Sequence, residues 1–240
     1  FATSDTLQVI QTSDFKVNGK GSNAAWEKTP WVPLQNLSPE IAPYSSQFKI
    51  LYSAEGIYVL MEGDDNKITT NYKKDFDDLY KGDVFEVFFH PNPKEPVYFE
   101  YEINALNKEL VLLVPNFNKK FFGWIPWHYD GDKKVQKAVS ITREKGKMKK
   151  WSAEMFFPYT LFNPLENTPP QQNSYWRANF YRLDYDHEKM AKSAWMPVKG
   201  TFHEFEKFAY LKFNKNNSYI KKNNTKKKIK GEPEKVIEKI

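Results

Sequence analysis

Residues 83–90 read Asp-Val-Phe-Glu-Val-Phe-Phe-His, and residues 97–104 read Val-Tyr-Phe-Glu-Tyr-Glu-Ile-Asn. The first is a nearly continuous Val/Phe run, too short for a helix and aromatic enough for a buried strand. The second alternates: Phe99, Tyr101 and Ile103 share one face, while Tyr98, Glu100, Glu102 and Asn104 share the other. Pro91-Asn92-Pro93 between them is turn chemistry. Together they read as adjacent strands of a β-protein.

Working outward, the same habit recurs. Residues 47–53 and 57–61 alternate on either side of Ala54-Glu55-Gly56 and read as a hairpin. Further strands are expected over 109–114, 135–142, 150–157, 174–182 and 207–213. Asp130-Gly131-Asp132, Glu144-Lys145-Gly146 and Pro169-Pro170 punctuate them. Long segments of helical period are nearly absent, and no internal repeat is visible. The expectation is an all-β fold: an antiparallel β-sandwich of immunoglobulin or jelly-roll type over residues 15–213. Residues 1–14 are expected to be an N-terminal extension, and residues 214–240 a basic tail without fixed structure. Phe85, Val87, Phe89, Phe99, Tyr101 and Phe180 are the expected core. The opposite faces carry Glu100, Glu102, Arg177, Asn179 and Tyr rings. They read either as a shallow hydrogen-bonding floor or as a solvated face laced with ion pairs.

Composition narrows the functions. The chain has 240 residues, 36 Lys+Arg, 30 Asp+Glu and no Cys. The missing cysteines exclude disulfide scaffolds, Cys-ligated zinc, iron–sulfur clusters and thiol catalysis. Nine Lys and three Glu fall within residues 214–240, which leaves 27 charges of each sign before them. The folded part is therefore neutral. Its only arginines are Arg143, Arg177 and Arg182, too few for phosphate and base readout, so no nucleic-acid partner is expected. No apolar run approaches the roughly 18 residues that span a bilayer. A monomer is expected.

Several segments, in order, resemble the family 9 carbohydrate-binding modules and their DOMON-like relatives. These are Asn18-Gly19-Lys20 with Ala25-Trp26, the stretch from Asp77-Asp78-Leu79-Tyr80 to Phe89, and Tyr98 to Asn104. Trp151-Ser152-Ala153-Glu154-Met155-Phe156-Phe157-Pro158 follows, then Trp176 to Arg182, Trp195, and Phe202 to Phe208 with Leu211. The resemblance spans about residues 15–213. It implies a non-catalytic sandwich that binds an oligo- or polysaccharide by clamping a terminal sugar between two aromatic rings, with calcium bracing loops. By position it puts Trp195 at one wall and Tyr80, in place of a tryptophan, at the other. It puts Asn179, Arg177 and Glu102 near hydroxyl contacts, with Glu100 and Glu102 where the family can show an arginine. A non-Met start at Phe1, the absent Cys and the resemblance together predict an extracytoplasmic protein, periplasmic, cell-surface or secreted; a role in polysaccharide utilisation is expected, with association with a glycoside hydrolase left open.

The residues themselves add candidates. Trp124 and Trp127 flank Ile125-Pro126 in a loop-like stretch, where an exposed indole is a functional signal. Trp195, in Ser193-Ala194-Trp195-Met196-Pro197, suits a stacking or a core role, whereas Trp151 and Trp176 alternate with apolar partners and read as core. Asp64 and Asp65, after the 57–61 strand, are candidate calcium ligands, and Asp75, Asp77 and Asp78 form a second acidic turn. Two rival readings stand beside sugar binding. One is a haem-binding electron-transfer domain using Met61, Met155 or Met196 with His128 or His203. The other is a glycoside hydrolase using two of Glu86, Glu100, Glu102 and Glu154. No His-x-x-x-His pair, Gly-x-Ser-x-Gly motif or phosphate loop supports any other chemistry.

Overall fold

The computed structural model describes residues 5–41, 44–118, 120–127, 129–171 and 173–214; the basic tail and His128 lie outside them. The strands run β1 (Thr6–Gln11), β2 (Val32–Pro33), β3 (Gln35–Asn36), β4 (Ser46–Tyr52), β5 (Gly56–Asp64), β6 (Val84–His90), β7 (Val97–Asn104) and β8 (Glu109–Phe117). They continue as β9 (Lys120–Phe121), β10 (Ile125–Pro126), β11 (Gln136–Glu144), β12 (Lys147–Pro158), β13 (Tyr175–Asp184), β14 (Ala191–Ala194) and β15 (Ala209–Asn214). Only short 3-10 turns accompany them among the described residues. All the expected strands form, several of them longer than the pattern alone indicated.

The strand order is β10-β8-β7-β6-β13-β15-β1-β4-β5-β12-β11, with β14 paired to β13. This ladder folds over on itself, so that β6, β7 and β13 face β4, β5 and β12. Phe48 of β4 stacks on Phe180 of β13 with centroids 3.9 Å apart, and Phe85 of β6 on Trp151 of β12 at 4.0 Å. Phe157 of β12 meets Tyr101 of β7 edge-on at 5.0 Å, a favoured aromatic geometry. All six residues expected in the core are fully buried there.

Two features differ from the sequence reading. Residues 6–11 are not an extension: β1 joins the two halves, pairing in parallel with β15 and with β4. All other pairings are antiparallel. The reverse face of β6, β7 and β13 is also not solvated. Phe88, Tyr98, Tyr181 and Leu183 bury there in a second apolar cluster with Leu79, Phe202 and Phe208. The chain between β14 and β15 lies over this face and closes it. That explains why Asp83–His90 carries Val84 and Phe88 on its reverse side as well: a strand covered on both faces does not need a wholly polar side.

A third cluster, of Leu51, Tyr58, Leu60 and Phe156, is covered by Trp26 and Phe15 on the outer face of the other half. It is pinned by Glu154, which is fully buried. Glu154 Oε2 accepts the backbone N–H groups of Asn18 and Gly19 at 2.7 and 2.9 Å, and its Oε1 accepts Trp26 Nε1 at 2.8 Å. The Asn-Gly-Lys and Ala-Trp pieces are thus held by one carboxylate. Glu154 is a structural anchor there and not half of a glycosidase pair.

Candidate functional site

A cavity of about 320 Å³ opens on the covered face of β6, β7 and β13. Strand alternation explains its floor. Phe85, Val87 and Phe89 point into the sandwich, which turns Glu86 outward. On β7, Phe99, Tyr101 and Ile103 point in, which turns Glu100 and Glu102 outward beside it. The register sets Glu86 directly opposite Glu102 and Phe88 opposite Glu100. Three carboxyl groups therefore share one patch, with Leu112 and Leu183 flanking them.

The walls come from turns. Tyr80, in the 3-10 turn Leu79–Lys81, stands 6.0 Å from Trp124, ring centre to ring centre, at an interplanar angle of 65°. Trp124 is 44% exposed, which leaves an indole surface free at the cavity rim. Tyr185 closes another side and donates its hydroxyl to the Tyr80 carbonyl at 2.7 Å. Lys192 of β14 and the segment Gly200 to His203 complete the lining. Phe121, next to Trp124, stacks on His203 at 4.1 Å.

Burial sets the charges. Glu86, Glu100 and Glu102 are 3%, 4% and 1% exposed. Desolvation, and then their mutual repulsion, pushes Glu86 and Glu102 well above the usual carboxylate range. Desolvation lifts Glu100 to about 8, against a hydrogen bond from Glu102 that pulls it down. Glu102 is thereby the proton-holding partner of the pair. Burial also lowers His203 to about 4, so its imidazole is neutral near pH 7. Its Nδ1 lies 2.6 Å from the Tyr98 hydroxyl and 3.8 Å from Glu100 Oε2.

Of the residues expected to touch ligand, the structure brings Tyr80, Trp124, Glu100 and Glu102 together at this cavity. The other four go elsewhere. Trp195 is 2% exposed and packs against Phe48 and Phe180 at 5.4 and 5.9 Å. Its backbone N–H continues the β13 ladder onto the Phe180 carbonyl, which turns the indole inward; as a stacking wall it is corrected to a core residue. Asn179 is fully buried and braces the same corner, with Oδ1 accepting Met196 N–H and Nδ2 donating to the Met196 carbonyl, both at 2.9 Å. Arg177 donates Nε to the Phe208 carbonyl at 3.0 Å and Nη2 to the Glu206 carbonyl at 2.9 Å. It clamps the covering segment away from the cavity. Trp127 donates its indole N–H to the Leu161 carbonyl at 2.8 Å and packs on the main core. Sequence reading missed Lys192, Tyr185 and the 200–203 segment as lining residues. Only tertiary folding of the 185–208 chain brings them over the sheet.

Among the described rival haem ligands, Met196 packs against the main core and none of the methionines meets His203; His128 lies outside the described residues. Met61 and Met155 are sealed inside the sandwich, whereas His203 sits on the other side of the β6–β7 sheet, engaged by Tyr98 and Phe121.

Behind the Tyr185 wall lies an acidic cluster. Asp65, Asp83 and Asp186 each place a carboxylate oxygen within 4.8 Å of the others. Asp64 is not part of it; its carboxylate is exposed and accepts the Ser45 hydroxyl at 2.6 Å. Asp83 accepts the N–H groups of Tyr185, at 2.8 Å, and of Thr69. Desolvation lifts Asp65 to about 7 and Asp83 to about 6. Arg182 Nη2 reaches Asp65 at 3.0 Å and Asp184 at 2.7 Å, and Lys67 lies 3.9 Å from Asp186. Two cations thus face four aspartates. Gly63 makes room for this arrangement, since a Cβ there would overlap the Arg182 guanidinium.

The fold is a β-sandwich with a cavity on one face walled by aromatic side chains. In this chain, residues 17–119 match the model of the family described as carbohydrate family 9 binding domain-like. Its fold is shared with a provisionally assigned carbohydrate-binding protein from Bacteroides uniformis, at 15% identity and a TM-score of 0.68, over 87% of this chain and 99% of that one. A family 9 module from Caldicellulosiruptor kristjanssonii in complex with cellotriose aligns at 13% identity and a TM-score of 0.63, over 89% and 96% of the two chains. The same module in complex with glucose aligns at 14% and 0.63, over 89% and 97%. No curated protein matches the chain.

Proposed function

We propose that this domain binds a glycan end, without cleaving it, in the Tyr80–Trp124 cavity. The observation that carries the reading is the exposed Trp124 indole beside Tyr80 above a floor of hydrogen-bonding carboxyl groups. An aromatic ring supplies the apolar surface for a sugar's C–H face, and carboxyl groups meet its hydroxyls. The fold shared with modules in complex with cellotriose and glucose supports the same reading. The site is small and open, so affinity belongs in the range of about 1–1000 μM, because little burial is recovered beyond the ordering cost.

The acidic cluster fits a hard cation such as calcium, since its donors are all carboxylate oxygens in a loop setting. Asp65, Asp83 and Asp186 would hold it. Through Tyr185 N–H on Asp83 and the Tyr185 hydroxyl on Tyr80, such an ion would stiffen the cavity wall. A module of this kind serves polysaccharide capture outside the cytoplasm, alone or beside a hydrolase.

Calorimetric titration with glucose and cello-oligosaccharides tests the reading. Losing a stacked indole removes about 1–2 kcal/mol of apolar burial, so Trp124→Ala is expected to weaken binding by about five- to thirtyfold. Unchanged affinity in Trp124→Ala would move the site elsewhere on the domain.

A further inference from the structure

The cavity floor gathers three buried carboxyl groups, more than stacking a neutral sugar requires. We propose that the preferred ligand is a sugar bearing a protonated amine, a glucosamine-type unit at a glycan end, over its neutral or carboxylated counterpart. This rests on the carbohydrate reading of the same site.

Three carboxyl side chains line the cavity, each at least nine-tenths buried: Glu86, Glu100 and Glu102. Neither Glu100 Oε2 nor Glu102 Oε2 receives an N–H or hydroxyl from the protein. The groups facing them from every packed element offer little compensation. Lys192 of β14 is the one cationic side chain among the described lining residues. His203 is neutral, and the phenols of Tyr80, Tyr98, Tyr181 and Tyr185 are all held above their ordinary range by burial, hence uncharged. No arginine lines the cavity, so the planar fork that recognises a sugar carboxylate is missing.

An entering hydroxyl offers one donor and no charge. An ammonium offers three donors and a full positive charge, in a setting where screening is weak. A uronic acid would bring a carboxylate against the three buried carboxyl groups and could not draw their protons off, since a neighbouring anion favours the neutral form. The carboxyl groups that hold protons in the free domain give them up when the ammonium enters, because a neighbouring cation favours the charged form.

The test compares a β-1,4-linked glucosamine dimer, cellobiose and glucuronic acid by calorimetry at neutral pH and low salt, in two buffers of different ionisation heat. The glucosamine dimer is expected to bind about tenfold tighter than cellobiose, with buffer-dependent heat reporting proton release, and glucuronic acid weakest. In Glu100→Gln/Glu102→Gln, or in Glu86→Gln should that pair fail to fold, the ratio of amino-sugar to cellobiose affinity is expected to fall towards unity. Cellobiose bound as tightly as the glucosamine dimer, or glucuronic acid bound more tightly than either, overturns the inference and leaves sugar binding standing. Failure of all three to bind overturns both.

Discussion

Trp124 and Trp195 show how much one residue's surroundings decide. Both sit in stretches without strand periodicity, two positions before a proline, and both read as stacking candidates from sequence. The structure separates them: 44% exposure for Trp124 against 2% for Trp195. The cause is local hydrogen bonding, since Asn179 clamps Met196 at both its N–H and its carbonyl and turns the preceding indole into the core. Nothing in a linear pattern reports a clamp between residues 17 positions apart. Trp195→Ala therefore tests packing: it should cost about 3–5 kcal/mol in urea melts, as large-to-small core changes do. Trp124→Ala should leave stability within about 0.5 kcal/mol, as exposed substitutions usually do.

At the scale of elements, β6 and β7 were legible because alternation is a local signal. Their inward sets, Phe85, Val87, Phe89 and Phe99, Tyr101, are the ones the pattern gives. What lies on the reverse face was not legible, because it depends on which later segment folds over it. β1 was missed for a related reason: its partner β15 is some 200 residues downstream and pairs in parallel, so no turn announces it. The same burial that hides the reverse face has a pH consequence. Glu100 is lifted from an ordinary 4.5 to about 8, so the folded domain holds this proton more tightly than the unfolded chain does. Its stabilising contribution is complete below about pH 4.5 and is lost as pH rises through about 8. Thermal melts should accordingly show falling stability across that window. Glu100→Gln should show a shallower fall, and an equal slope in the variant would contradict the assignment.

For the whole molecule, the ordered pieces of family resemblance were readable, and the structure shows why some travel together: Glu154 ties the Asn18–Gly19 turn and Trp26 to β12. The acidic cluster was only half visible. Sequence pointed to adjacent Asp64 and Asp65, whereas folding assembles Asp65 with Asp83 and Asp186 and leaves Asp64 in solvent. A ligand that binds only the folded state raises its melting temperature. Calcium should therefore raise it and EDTA lower it, and Asp83→Asn should abolish the difference; an identical melt with and without calcium would remove the ion from the account. Because the cluster backs Tyr185 and Tyr80, calcium should also tighten sugar binding.

The central claim is the location of the sugar. A crystal structure of the domain soaked with its tightest-binding oligosaccharide measures that directly. The account predicts a terminal ring against Trp124 and Tyr80, with its polar groups on Glu86, Glu100 and Glu102. Density for the sugar at any other surface, such as the groove between Phe15 and Tyr159 on the far half of the sandwich, with the Tyr80–Trp124 cavity empty, would contradict it.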